Sequence, residues 1–285
     1  MIPLTNQSFY EYAWAARSQV IEGMIANGGG GLYEILDNFC AFDFSHRLVV
    51  ERTRRKPDET GVRRRYLTGR VSFELIPDRN DANKIGQYIQ GQYERMAIIA
   101  DLIDADTDAI IELGCGYGIN LFRLMRLLKD QKFRWFGAEY TESGRSLCAK
   151  LADLDGSEPM DVPFIDHAAP DLGFMADVEK PLVFTCHSIE QVSIIPNNYF
   201  SILARAAPGV RGVHLEPFGF QADPSAPNSP THRNFMHDQG WNLNFFSCLK
   251  LAEEKGDIRI EHVEIEKYDT TPNNPTSLAV WISTV

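Results

Sequence analysis

The chain has 285 residues, 44% hydrophobic and 24% charged, enough for one large or two ordinary packed domains and too apolar for a disordered or fibrous protein. Its 39 Asp/Glu outnumber its 28 Lys/Arg, and the formal charge of −11 disfavours general binding to phosphate backbones. No apolar run reaches the roughly 18 residues of a bilayer span, the start MIPLTNQSFYEY lacks a basic, apolar leader, and Cys40, Cys115, Cys148, Cys186 and Cys248 form no CxxC pair, so a cytoplasmic protein away from membranes is expected, with no disulfide framework and no zinc knuckle.

In chain order, residues 8–26 carry Phe9, Tyr12, Ala13, Ala16 and Val20 at helical spacing, and Asn27 with the following glycines stops the helix. A second short helix is expected over 32–39. Arg47–Thr53 and Arg65–Leu75 are rich in β-branched and aromatic residues around a Pro-Asp-Glu-Thr-Gly turn at 57–61, which predicts a hairpin. That hairpin holds nine Lys/Arg between Arg47 and Arg70 against Glu51, Asp58 and Glu59. A solvated face, or pairing with an acidic neighbouring subunit, explains such a run; a grip on phosphate or RNA is the alternative. Residues 81–104 place Ile85, Tyr88, Ile89, Tyr93, Met96, Ala100 and Ile103 on one helical stripe.

From Ala109 onward strands and helices alternate: strand 109–113, helix 119–129, strand 133–139, helix 142–153, strand 161–166, strand 181–186, helix 196–206 and strand 210–216. Alternation of this kind predicts an α/β fold with a parallel sheet. After a polar stretch at 219–240, read as a lid or mobile loop, comes a helix at 242–255. The segments 258–268 and 277–283 then lie too close for a crossover helix and should pair antiparallel.

Strand Ala109–Leu113 runs into Gly114-Cys115-Gly116-Tyr117-Gly118 and then a helix. Glycines permit a tight turn and close approach of a ligand, and the free N–H groups of a helix start favour an anion. The GxGxG spacing fits neither the dinucleotide fingerprint nor a P-loop, so a different nucleotide-like ligand is indicated. Glu112, Glu139 and Asp166 place an acid at three successive strand ends, at the edge of a parallel sheet where ligands bind. Glu139 suits the two hydroxyls of a ribose, and Asp166 an exocyclic amine.

These segments resemble the class I S-adenosylmethionine-dependent methyltransferases. IIELGCGYG is similar to their first motif, GAEY to the acidic second-strand motif, FIDHA to the adenine-contacting segment and CHSIEQV to the segment after strand four, over roughly residues 85–285. The ending NPTSLAVW is similar to that of some methyltransferases acting on sugars or other small metabolites. The resemblance implies a Rossmann-like, seven-stranded, mostly parallel sheet with a closing antiparallel hairpin, preceded by a helical and hairpin accessory region. It implies S-adenosyl-L-methionine as cofactor, with Glu112, Gly114, Gly116 and Gly118 around its methionine part, Glu139 at the ribose, and Asp166 with His167 at the adenine. The domains expected are 1–107, capping the substrate, and 108–285, binding the cofactor.

His187 and Glu190, after strand four, are candidate catalytic residues, with His187 as a general base; the alternatives are that His187 bonds only its own loop or the cofactor and that Glu190 is a structural brace. His214 and Glu216 alternate on one strand face, which could point into an acceptor site with His232 and His237 from the lid. No HxH or HxxxH spacing exists, and Gln191 stands where metal-using RNA 3′-end methyltransferases carry a histidine, so no metal is expected. The expected function is methyl transfer to a small-molecule acceptor, to oxygen first and nitrogen second, of a sugar-like or specialised metabolite. RNA methylation through the basic hairpin and a non-catalytic cofactor-binding scaffold are the alternatives. The amphipathic N-terminal helices leave room for a homodimer.

Overall fold

The computed structural model describes residues 2–54, 65–154, 159–268 and 271–285. In chain order the elements are β1 (Ile2–Pro3), α1 (Asn6–Ala26), α2 (Leu32–Ser45), β2 (His46–Arg54), β3 (Arg65–Leu75), α3 (Ala82–Asp101), β4 (Ala109–Leu113), α4 (Ile119–Leu127), β5 (Arg134–Ala138), α5 (Glu142–Ala152), β6 (Met160–Asp161), β7 (Pro181–Cys186), α6 (Tyr199–Arg205), β8 (Arg211–Glu216), α7 (Gly219–Ala222), α8 (Ser229–Gln239), α9 (Phe245–Glu254), β9 (Ile258–Glu264) and β10 (Ser277–Ser283). The chain forms two compact units, one of residues 1–98, 116–126 and 140–159, the other of residues 99–115, 127–139 and 160–285.

In the first unit, β1, β3 and β2 form an antiparallel sheet in that order. The expected hairpin strands form, while its 57–61 turn and the densest part of its basic run lie outside the described residues. Thr5 and Ser8 cap α1 reciprocally, satisfying N–H groups that a helix start leaves without partners. The α5 N-terminus is held by Thr141, which accepts from Gly144 N–H at 3.2 Å, and by the Glu11 carboxylate of α1, which accepts from Ser143 N–H at 2.8 Å and Glu142 N–H at 3.1 Å. An acid at a helix N-terminus complements both its free donors and its dipole. Helix α2 outlasts the expected 32–39 because Phe39, Cys40 and Ser45 continue its buried stripe.

The second unit is built on a seven-stranded sheet of order β6-β5-β4-β7-β8-β10-β9. β4 pairs parallel with β5 and β7, β5 with β6, and β7 with β8, whereas β10 pairs antiparallel with β8 and β9. This is the expected α/β sheet with its closing antiparallel hairpin. β4 is buried along its whole length, as a central parallel strand must be. Ile111, Phe136, Val183, Phe200, Leu203, Phe245, Leu249 and Trp281 belong to one continuous core in which α6 and α9 take part. Gly212 stands opposite Trp281 across the β8–β10 pair, and a side chain at Gly212 would overlap the indole ring.

Some expectations change. The strand expected at 161–166 is only Met160–Asp161, followed by a single bridge between Glu139 and Phe164, because Pro163 lacks the N–H that a ladder needs. The strand expected to reach 268 stops at Glu264; Glu266, two residues on, has φ +54°. The polar stretch 219–240 is not a loop: it contains α7 and α8. Pro230 opens α8, Gly240 closes it at φ +69°, and His232 and Met236, four residues apart, bury one face. Among the described residues no helix is long and apolar enough to cross a membrane.

Candidate active site

Strand order in the second unit reverses between β4 and β7: the chain leaves β4 toward β5 and β6 on one side, and β7 and β8 lie on the other. A crevice opens at the carboxyl ends of strands at such a switch point. Gly114 follows β4 there, and His187 and Ser188 follow β7.

The turn after β4 is closed by Gly114 N–H and Cys115 N–H, which both donate to Ala138 O, at 2.7 and 3.0 Å. Gly114 has φ +85°, and a Cβ there would overlap the Ser188 side chain. Ser188 Oγ donates to Leu113 O at 2.7 Å and lies 3.3 Å from His167 Nε2; His167 Nδ1 is 2.7 Å from the Tyr199 hydroxyl. His167 is buried, and burial lowers its pKa to about 4, so the ring is neutral at pH 7. With both nitrogens engaged, it braces the crevice floor instead of presenting an edge to a ligand.

Farther along the loop, in the first unit, Gly116 (φ +58°) and Gly118 (φ +82°) are likewise left-handed. A Cβ would lie 2.7 Å from the Trp14 ring at Gly116 and 2.6 Å from Cys148 Sγ at Gly118. The loop's glycines therefore serve close packing as well as a tight bend.

Glu112 and Glu139 are buried at the ends of β4 and β5, at 1% and 6% exposure. Glu139 N–H donates to Pro163 O at 3.0 Å and its carbonyl accepts from Ile165 N–H at 3.3 Å, which ties the two strand ends together. Asp166 is half-buried, and its Oδ1 accepts from Ala168 N–H at 2.8 Å, fixing the carboxylate at the rim.

His187 adopts φ +53°, uncommon for a residue with a side chain, with its N–H bonded to Leu215 O at 3.0 Å. Its Nδ1 lies 3.1 Å from Glu190 Oε2 and its Nε2 2.7 Å from Thr276 Oγ1. A carboxylate here can only accept, so Nδ1 carries the proton and the Nε2 lone pair accepts from the threonine hydroxyl. Glu190 is buried and also accepts from Asn274 Nδ2 at 3.1 Å and Gln191 Nε2 at 2.7 Å. Glu216 is 1% exposed and holds the same loop, accepting from the N–H groups of Ser188, Ile189 and Glu190 at 2.9, 3.1 and 3.3 Å. Burial, reinforced by the negative Glu190, raises its pKa to about 7.

The other residues expected at an acceptor site differ in their surroundings. His214 is fully buried between Thr185 Oγ1, 3.0 Å from Nδ1, and Trp281, whose Nε1 donates to Nε2 at 2.9 Å. Burial lowers its pKa to about 3. His214 and Glu216 do share one strand face, and both are buried there. His232 is buried under Phe220, with Nδ1 3.6 Å from Glu266 Oε1. His237 is exposed and lines a separate surface groove of about 460 Å³ with Arg233, Phe220 and Phe246. Among the described residues no three His, Cys, Asp or Glu side chains are grouped to hold a metal ion.

The sequence reading missed Thr276, Asn274, Ser188 and Tyr199. Thr276 adjoins Ser277, which pairs with Glu216 across β10 and β8, and that register brings it beside the loop after β7.

No protein-family model and no curated protein matches the chain. Similar solved structures include a SAM-dependent methyltransferase from Aquifex aeolicus, 12% identical with a TM-score of 0.45, matched over 73% of this chain and 96% of that one. A geranyl diphosphate methyltransferase in complex with GPP and sinefungin is 10% identical with a TM-score of 0.46, over 70% of this chain and 78% of that one. EvdMO1 is 14% identical with a TM-score of 0.42, over 67% of this chain, which spans only 40% of EvdMO1's length.

Proposed function

We propose that the chain is an S-adenosylmethionine-dependent methyltransferase acting on a small molecule, on a hydroxyl oxygen first and nitrogen second, with a sugar-like or specialised metabolite as acceptor. The observation that carries this reading is the pair of strand ends at the switch point: β4 ends in the glycine loop, and the adjacent β7 ends in the Glu190–His187 pair. The side chains fit the cofactor. Glu139 offers a buried carboxylate to a ribose, Asp166 a rim carboxylate to an amine, and the three acids Glu112, Glu139 and Asp166 suit a sulfonium cation where a pyrophosphate would be repelled. Gly116 and Gly118 continue the loop that Gly114 begins.

The bound cofactor would supply the activated methyl group, leaving the protein chiefly to position the acceptor and take its proton. Glu190 fixes the tautomer and orientation of His187, so that Nε2 is the basic atom. Thr276 donates to Nε2 until an acceptor hydroxyl takes its place, and the proton of that hydroxyl then passes to Nε2. Glu216, bonded to three successive N–H groups, keeps His187 in its left-handed conformation through the loop it anchors.

Calorimetric titration with S-adenosylhomocysteine is expected to give one saturable site, weakened by Glu139→Ala. No heat at millimolar ligand would overturn the assignment.

A further inference from the structure

A second polar cavity lies wholly within the first unit, among α2, α3 and the start of α4. It has a volume of about 60 Å³ and is lined by Cys40, Asp43, Tyr88, Gln92, Tyr117 and Arg123. That is room for several waters or one small polar group.

Arg123 is 3% exposed. A guanidinium carries five N–H donors, yet among the described residues this one makes a single hydrogen bond, from Nη2 to Cys40 Sγ at 3.2 Å, with the Tyr93 ring 5.4 Å away. No carboxylate of the described residues stands within 4.0 Å of it. The nearby Asp43 is paired with Arg17, with Nε to Oδ1 at 3.0 Å. Cys40 does not supply the missing charge, because burial raises its pKa and keeps it a thiol. Tyr88, Gln92 and Tyr117 also line the cavity, and their side chains form no hydrogen bond with a described residue. A buried cation with unmatched donors costs free energy unless something with negative charge and acceptor atoms meets it.

We propose that this cavity is a binding site for a small oxyanion, a carboxylate or phosphate group, held by Arg123 and by the hydroxyl and amide donors of Tyr88, Tyr117 and Gln92. Asp43 and Arg17 cancel, so Arg123 sets the charge of the site, and a singly charged ligand group balances it. Tyr117 belongs to the glycine loop, but Arg123, Tyr88 and Gln92 do not, so the site does not depend on the methyl-transfer reading.

Full-length protein is titrated calorimetrically with sodium benzoate and, separately, with inorganic phosphate, at ionic strength held constant with KCl. Saturable binding of one or both anions is expected, and the tighter arm identifies the source. Arg123→Lys should weaken the tighter anion roughly tenfold to a hundredfold, through loss of charge-assisted bonds, and Tyr88→Phe about fivefold, through loss of a neutral one. Tyr88→Phe leaves the buried charge in place and so remains informative should the Arg123 variant unfold. The proposal is overturned by no saturable heat from either anion up to 50-fold above the roughly millimolar affinity such contacts provide, or by unchanged affinity in folded Arg123→Lys or in Tyr88→Phe. Unchanged S-adenosylhomocysteine binding in both variants would separate this outcome from the cofactor assignment.

Discussion

Nδ1 of His187 lies 3.1 Å from Oε2 of Glu190, three residues on, while Nε2 of the same ring is 2.7 Å from the hydroxyl of Thr276, 89 residues away. The pair fixes the ring from the near side and the threonine from the far side, so proton position and ring orientation are set together.

Replacing Glu190 by Gln removes the acceptor for the Nδ1 proton. Nitrogen-resolved NMR of His187 should show the proton moving from Nδ1 to a mixed or Nε2-protonated form, with S-adenosylhomocysteine affinity unchanged. With labelled cofactor and a metabolite pool as acceptor, kcat should fall roughly tenfold to a hundredfold with little change in KM, as expected for a positioning residue. His187→Ala should cost more, about a hundredfold to ten-thousandfold.

Gly114→Ala places a methyl group against Ser188 at φ +85°. The clash and the left-handed strain together should destabilise the protein by about 2–4 kcal/mol in urea unfolding. Pairing it with Ser188→Gly should give less loss than the sum of the two single changes, because the second removes the atoms struck by the first.

Glu216 gives a pH signature of unusual sign. Its folded pKa is raised to about 7 from 4.5, so the folded protein keeps a proton that the unfolded chain sheds. Its contribution is therefore present below pH 4.5 and is lost as pH rises toward 7, on the order of 3 kcal/mol. The difference in unfolding free energy between wild type and Glu216→Gln should shift against the wild type across that interval.

His214 behaves in the opposite sense. Its folded pKa is depressed to about 3 from 6.5, so the unfolded chain takes up a proton that the buried ring refuses. Stability from this residue is complete above pH 6.5 and falls as pH drops toward 3. Unfolding curves of His214→Gln should show a flatter acid limb than those of the wild type.

The sequence marks β4, β7 and β10 to the residue, because buried parallel strands read as short apolar runs bounded by turn residues and a closing strand with no room for a crossover helix must reverse. It also marks the glycine loop and the acids Glu112 and Glu139 at the ends of β4 and β5, since these depend on order along the chain, whereas Asp166 follows an isolated bridge and not a strand. α8 is hard to read although Pro230 at its start and Gly240 at its end are helix signals, because few apolar residues on a polar stretch mark its single buried face. The burial of His214 is not legible, because alternation assigns a residue to a strand face without telling whether another layer covers that face. Trp281 and Phe245 cover it.

Which strand pairs with which, in what register, is set by packing between segments far apart in sequence. Residue order alone carries the alternating architecture, the glycine turn and the chemistry available after β4 and β5. Long-range packing is what brings Thr276 and Asn274 to the His187–Glu190 pair, buries His167, His214 and Glu216, and encloses Arg123 with donors to spare, because local periodicity fixes a side chain's direction while burial and partners arise from the meeting of distant segments.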